Sequence, residues 1–238
     1  MSHPVTTERS TADRSPADRS PAEISPAEIS PADEKQVPAA RNPERGNSER
    51  GASTRTVLLA AAREVFILEG YAQAGVTDIV ALAGASVGSL YHHFAGKAEL
   101  YLALFSELND ELDARTRSAV RASRAAGVTD PMELFVAGAH GYLEVCIEQR
   151  ELSAMFARGD GPPGFDLLAR RRLVAWVTKN SEFFARSGEP LDEAVAVVMT
   201  GAMLLASAEV AQAGDAGRAR ELADGVIEVL SRLHVRSG

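Results

Sequence analysis

Cysteine is nearly absent from this 238-residue chain: the single Cys146 excludes an intrachain disulfide and leaves no cysteine cluster for zinc. The N-terminus has no apolar stretch of the kind that opens a secretory signal. No apolar run spans a bilayer comfortably. The nearest approach, Ala194 to Ala208, contains Thr200, Gly201 and Ser207 and is flanked by Glu193 and Glu209. A buried interface helix, and no membrane, is expected there. No segment alternates apolar and polar residues as a strand does. No Ser-His-Asp or paired-carboxylate pattern emerges, and the GDGPPG stretch at 159–164 lacks the Lys-Ser/Thr ending of a phosphate-binding loop. Neighbouring His92 and His93 have no third ligand nearby. No enzyme activity, metal or cofactor is expected.

Positive charge is also short. Lys and Arg number 25 against 33 Asp and Glu, a net charge of −8. Between Ser53 and Leu100 the cations are Arg55, Arg63 and Lys97, outnumbered by Glu64, Glu69, Asp78 and Glu99. The counterion release that drives non-specific association with nucleic acid is therefore weak. The shortage is no veto, because acidic groups can lie far from a binding face.

What is present begins with a tail, expected over residues 1–50 and disordered. Ser-Pro-Ala recurs at Ser15, Ser20, Ser25 and Ser30, a proline period that forbids a helix, with too few apolar residues for a core. Arg41, Arg45, Arg50 and Arg55 then approach the first helix. They suit an arm lying on phosphates or in a minor groove, although Glu44 and Glu49 make simple solubility an equal alternative.

The rest reads as all-α. A first helix is expected from a Ser53 or Thr54 cap to Leu68, with Leu58, Ala61, Ala62, Val65 and Phe66 on one face and Gly70 as its stop. Thr77 is expected to cap a helix to Ala83. Gly84 turns the chain, and Ser86 caps a second short helix anchored inside by Val87 and Leu90. A long helix follows, with Tyr101, Leu104, Phe105, Leu108 and Leu112 at helical spacing. Breakers place further helices near 130–149, 151–157, 165–186, 190–212 and 217–234.

Two short helices joined by a glycine turn form a helix-turn-helix, here about residues 75–94, whose second helix enters the DNA major groove. The combination of Thr77, Gly84 and Leu90-Tyr91-x-His93-Phe94-x-x-Lys97 with Leu100, preceded by Glu69-Gly70-Tyr71, resembles the tetracycline-repressor (TetR) family. The resemblance covers about Ser53 to Leu112. It implies an N-terminal three-helix DNA-binding domain over 51–98 and a C-terminal helical ligand-binding and dimerisation domain over 99–238.

On the second helix, Ser86, Gly88, Ser89, Tyr91 and His92 form the DNA-facing set. The family match assigns backbone contacts to Tyr91, His92 or His93, and Lys97, and a phosphate contact to Thr77. No Arg, Asn or Gln stands between Ser86 and Phe94, so bidentate base contacts are absent. Hydroxyls, thymine methyl contacts and DNA shape must serve instead.

The family also turns large apolar side chains of the body, each by itself ordinary core, into candidate cavity walls. They are Phe135, Tyr142, Met155 and Phe156, with Trp176, Phe183, Met199 and Met203. A hydrophobic or amphipathic small-molecule effector is implied. The last two helices, through Val198, Ala202, Val226 and Leu230, are the expected homodimer interface; completion of the monomer's core is the alternative. Arg170-Arg171-Arg172 reads as a solvated face, and Cys146 as packing. The whole implies a cytoplasmic, ligand-responsive repressor of a palindromic operator. An activator, or an all-helical small-molecule binder with a vestigial head, is the alternative.

Overall fold

Pro43 opens the first helix, where its missing N–H costs nothing and its fixed φ suits the first turn. The computed structural model describes residues 43–186 and 192–232, with side chains from Gly51 onward. Among them are nine helices and no strand. The first, α1 (Pro43–Gln73), begins upstream of the expected cap. Ser53 and Thr54 lie inside it, because no proline interrupts the chain after Pro43. The break falls at Gly70, with φ 79° and ψ 165°, a backbone region essentially reserved for glycine. The Ser-Pro-Ala repeats and Arg41 lie outside the described residues, as do the side chains of Arg45 and Arg50.

Helix α2 (Val76–Ala83) is capped by Gly75 with no side-chain bond, so Thr77 is an exposed first-turn residue and not the cap. Gly84 ends it at φ 61°, its N–H returning to the Val80 and Ala81 carbonyls. Helix α3 (Val87–His93) has the expected cap: Ser86 Oγ accepts from the Ser89 N–H at 3.0 Å. Leu90 anchors it at 0% exposure, whereas Val87 is 43% exposed and no inner anchor. Leu58, Ala62 and Phe66 of α1 meet Ile79, Leu90 and Phe94 in one core.

The body follows as α4 (Lys97–Ala125), α5 (Pro131–Glu148), α6 (Arg150–Ala157), α7 (Phe165–Arg186), α8 (Glu193–Gln212) and α9 (Ala216–Ser231). Asp130 caps α5 with Pro131 in its first turn, as the sequence suggests; α9 is instead capped by Asp215, between the expected breakers Gly214 and Gly217, and takes Gly217 into its first turn. Gly188, Pro190, Leu191, Leu233 and His234 lie outside the described residues. Helix α4 is common to both halves. Leu100, Tyr101 and Leu104 belong to a core continuous from Leu58 to Leu230, so packing has no gap at the expected boundary near residue 98. Along α4, Gly138 and Gly141 of α5 come so close that a Cβ on either would stand 3.1 Å from Val120 or Ala119.

Candidate nucleic-acid interface and ligand cavity

Because α3 is held by Leu90 and Phe94, its opposite side faces out. Ser86, Gly88, Tyr91 and His92 are exposed, with Tyr91 at 56%, while Ser89 and His93 are half-buried. The His92 and His93 rings meet edge-on at 5.0 Å. Gly88 has an ordinary helical backbone, and a Cβ there would meet only Ser86 Oγ at 3.8 Å. Nothing inside the protein requires glycine at 88; its bareness matters only to what approaches from outside.

Among the described side chains, the head's three cations, Arg55, Arg63 and Lys97, are engaged internally. Arg55 lies over the Phe94 ring at 5.1 Å and 3.7 Å from a Glu107 oxygen. Arg63 donates to Gln149 Oε1 at 2.6 Å. Lys97 was expected at a phosphate; instead its ammonium donates to the carbonyls of Tyr71, Ala72 and Ala74 at 2.9, 3.2 and 3.0 Å. An ammonium has only three N–H groups, so none remains for DNA in this arrangement. The cause is local: Gly70 breaks α1 and leaves carbonyls converging beside the start of α4, with Lys97 4.6 Å above the Tyr71 ring.

The joint between head and cavity is aromatic. Tyr101 packs against Phe66 and Tyr71 on one side (centroids 5.6 and 5.2 Å) and against Phe156 and Phe165 on the other (5.0 and 5.1 Å). Its hydroxyl donates to the Asp160 carbonyl at 2.8 Å, and the Asp160 carboxylate accepts from the Ala72 N–H at 3.4 Å. Burial, reinforced by the Asp160 charge, holds the Tyr101 phenol above its usual range, so it remains a donor. The GDGPPG stretch, read as a plain interhelical loop, is therefore also the clasp of this joint.

Beyond it helices α4 to α8 line a partly open cavity of about 1070 Å³. Phe135, Tyr142, Phe156, Trp176, Phe183 and Met203 line it as expected. Met155 and Met199 do not; at 2% and 1% exposure they fill the solid core, because their positions turn them away from the lumen. Sequence reasoning missed the charged wall. Asp113 takes Arg172 and Lys179 at 3.0 Å each, and Arg117 at 3.8 Å. Arg170 and Arg171 are solvated, but Arg172 turns inward. Three successive arginines fan over about 200° of a helix, and no local signal tells which one meets a carboxylate 59 residues away. Cys146 also lines the cavity, and burial pushes its thiol up to about 12, leaving it inert.

Of the expected dimer residues, Val198 is 66% exposed and Ala202 is exposed. Leu230 is not available: at 2% exposure it belongs to the monomer's own core, and Val226 is half-buried against that core. Val229, at 62%, is the outward residue of α9, with Val197 and Leu205 on α8.

An exposed helix after a glycine turn, fixed on a three-helix core, agrees with a family comparison. Residues 58–104 match the model for bacterial regulatory proteins of the tetR family. That stretch carries the DNA-binding head of the TetR family. The chain's TetR head is 46% identical over 67 residues to the HTH-type transcriptional activator FasR of Mycolicibacterium smegmatis, covering 28% of this chain and 31% of that protein. It is 37% identical over 79 residues to the HTH-type transcriptional regulator TtgR of Pseudomonas putida, covering 33% and 36%. These matches span about a third of each curated relative's length. A solved TetR-family regulator from Pectobacterium atrosepticum superposes with TM-score 0.56 at 26% identity, covering 80% of this chain and 98% of that one. A TetR regulator from Chloroflexus aurantiacus gives 0.58 at 19% identity, covering 80% and 100%, a likeness of fold.

Proposed function

We propose that this protein is a cytoplasmic, ligand-responsive transcriptional regulator, acting as a repressor. A homodimer docks two α3 helices on a palindromic operator and leaves when a small molecule fills the body cavity. The observation that carries this is the aromatic joint: Phe156 and Phe165 line the cavity and also touch Tyr101, which packs on the head. A ligand there favours release only if it binds the DNA-incompetent arrangement more tightly. The dimer pairs the apolar faces of α8 and α9 through Val198, Ala202 and Val229, setting the recognition helices roughly 34–36 Å apart. By length and composition α8 is the one described helix apolar enough to cross a membrane, but its inner face is packed in the body. We assign its outer face to a second copy.

Base contacts fall to Ser86, Gly88 and Ser89, with Tyr91, His92, His93 and Thr77 on the backbone. With the head's own cations engaged, phosphate neutralisation falls to helix N-termini and to Arg41, Arg45 and Arg50. The same engagement favours one rival, a small-molecule binder whose head no longer reads DNA. Footprinting on the DNA upstream of its own gene decides: a protected palindrome supports the regulator, and no sequence-selective complex there or on genomic DNA supports the rival. A promoter fusion then separates repression from activation.

A further inference from the structure

Charge is distributed along the cavity in a way that the acidic chain as a whole does not anticipate. At the end nearest the head the wall is aromatic: Phe105, Phe156 and Phe165, with centroids 5.0 to 6.0 Å apart. Following α4 away from the head, the lining changes to Asn109 and Asp113, then Arg117, Arg121 and Arg124. From Phe105 to Arg124 the helix rises roughly 28 Å. Helix α7 runs alongside in the same sense, Phe165 beside Phe105 and Phe183 beside Arg124, and contributes Arg172, Lys179 and Arg186. Six basic side chains thus stand along the space and its open rim against one carboxylate, Asp113; Arg172 is half-buried in the wall, and Arg117, Arg121, Arg124, Lys179 and Arg186 are exposed at the rim.

Asp113 answers only part of that charge. Arg186 pairs with Glu182, and Arg124 lies 5.7 Å over the Phe183 ring, a contact that leaves its charge in place. Arg121 has no ion-pair partner among the described residues, and the buried Nε of Arg172 has no acceptor among them. Arg117, Arg121 and Arg124 stand at i, i+4 and i+7, on one side of α4.

We propose that the cavity selects an elongated molecule with an apolar body and an anionic head, carboxylate or phosphate, with the body toward Phe105 and the head toward Arg121 and Arg124. This rests on the cavity being the effector site. A neutral amphiphile forgoes the charge-assisted contacts, and a cationic one meets like charge.

Trp176, the chain's only tryptophan, lines the cavity and reports occupancy by its emission. Full-length protein is titrated with dodecanoate, dodecyl phosphate, dodecanol and dodecyltrimethylammonium, each below its micelle concentration. At least one anion is expected to bind tenfold or more tighter than the alcohol, with a preference that shrinks as salt rises. The cation is expected to bind more weakly than the alcohol. In the double variant Arg121→Glu with Arg124→Glu the anion preference is lost while dodecanol still binds, which controls for folding. Equal affinity for anion and alcohol overturns the proposal, as does a preference that survives the double variant. If none of the four perturbs Trp176, the effector-site reading falls with it; alcohol binding without anion preference leaves that reading intact and removes only the charge selection.

Discussion

Tyr91 and Lys97 are six positions apart and were both expected at DNA, yet their environments separate them. Tyr91 projects outward, so Tyr91→Ala is expected to leave urea unfolding within about 0.5 kcal/mol of the parent while weakening operator binding in a gel shift. Lys97→Ala removes the donor shared by three carbonyls and is expected to cost about 1–3 kcal/mol of stability. If Lys97→Ala instead matches the parent in stability and lowers the salt slope of DNA binding by about one, the ammonium leaves the carbonyls on docking. Cys146 allows a prediction about pH. Its folded pKa, raised by burial from 9.0 to about 12, means that its contribution to stability is full below 9.0 and is lost as pH rises toward 12. Cys146→Ser, whose hydroxyl does not ionise there, should reduce that alkaline loss in a melt series. Native Cys146 should also resist iodoacetamide at pH 8 and react once the protein is unfolded.

At the scale of helices, one glycine position and one exposed face make the fold testable. Gly70 holds a backbone that other residues rarely adopt, and a Cβ there would stand 2.7 Å from Asp160 Oδ2. Gly70→Ala should cost about 1–3 kcal/mol in unfolding and loosen the clasp on the head. Val198→Glu with Val229→Glu should yield a folded monomer by sedimentation that loses operator affinity; a variant that remains dimeric removes α8 and α9 from the interface. The helices themselves were legible, since Asp130-Pro131, Gly84, Ser86 and Gly70 act through local backbone chemistry. What each face meets was not. Leu222, Val226 and Leu230 make the same stripe whether they close a monomer or a dimer, and Arg172 differs from Arg171 only by what lies across from it. Periodicity specifies a buried face; the partner is chosen by packing between distant segments.

Across the whole molecule, the helix-turn-helix geometry was more legible than the cavity. The head's turn, cap and anchors fall within Val76–Leu100, whereas the cavity wall gathers residues from Phe105 to Ala208. The position of Tyr101 also governs how such a protein can be recombined. The sequence invites a cut near residue 98, between a reader and a sensor. A chimera joined there would take the head from one parent and the rings of Tyr101, Phe156 and Phe165 from another, together with the Asp160 clasp. The mismatch would fall on a buried aromatic stack instead of a linker, and the hybrid would be expected to misfold or to lose its response. Breakpoints that preserve function should therefore come in pairs, one beyond Leu108 and another enclosing residues 156–165, so that the clasp travels with the head it holds.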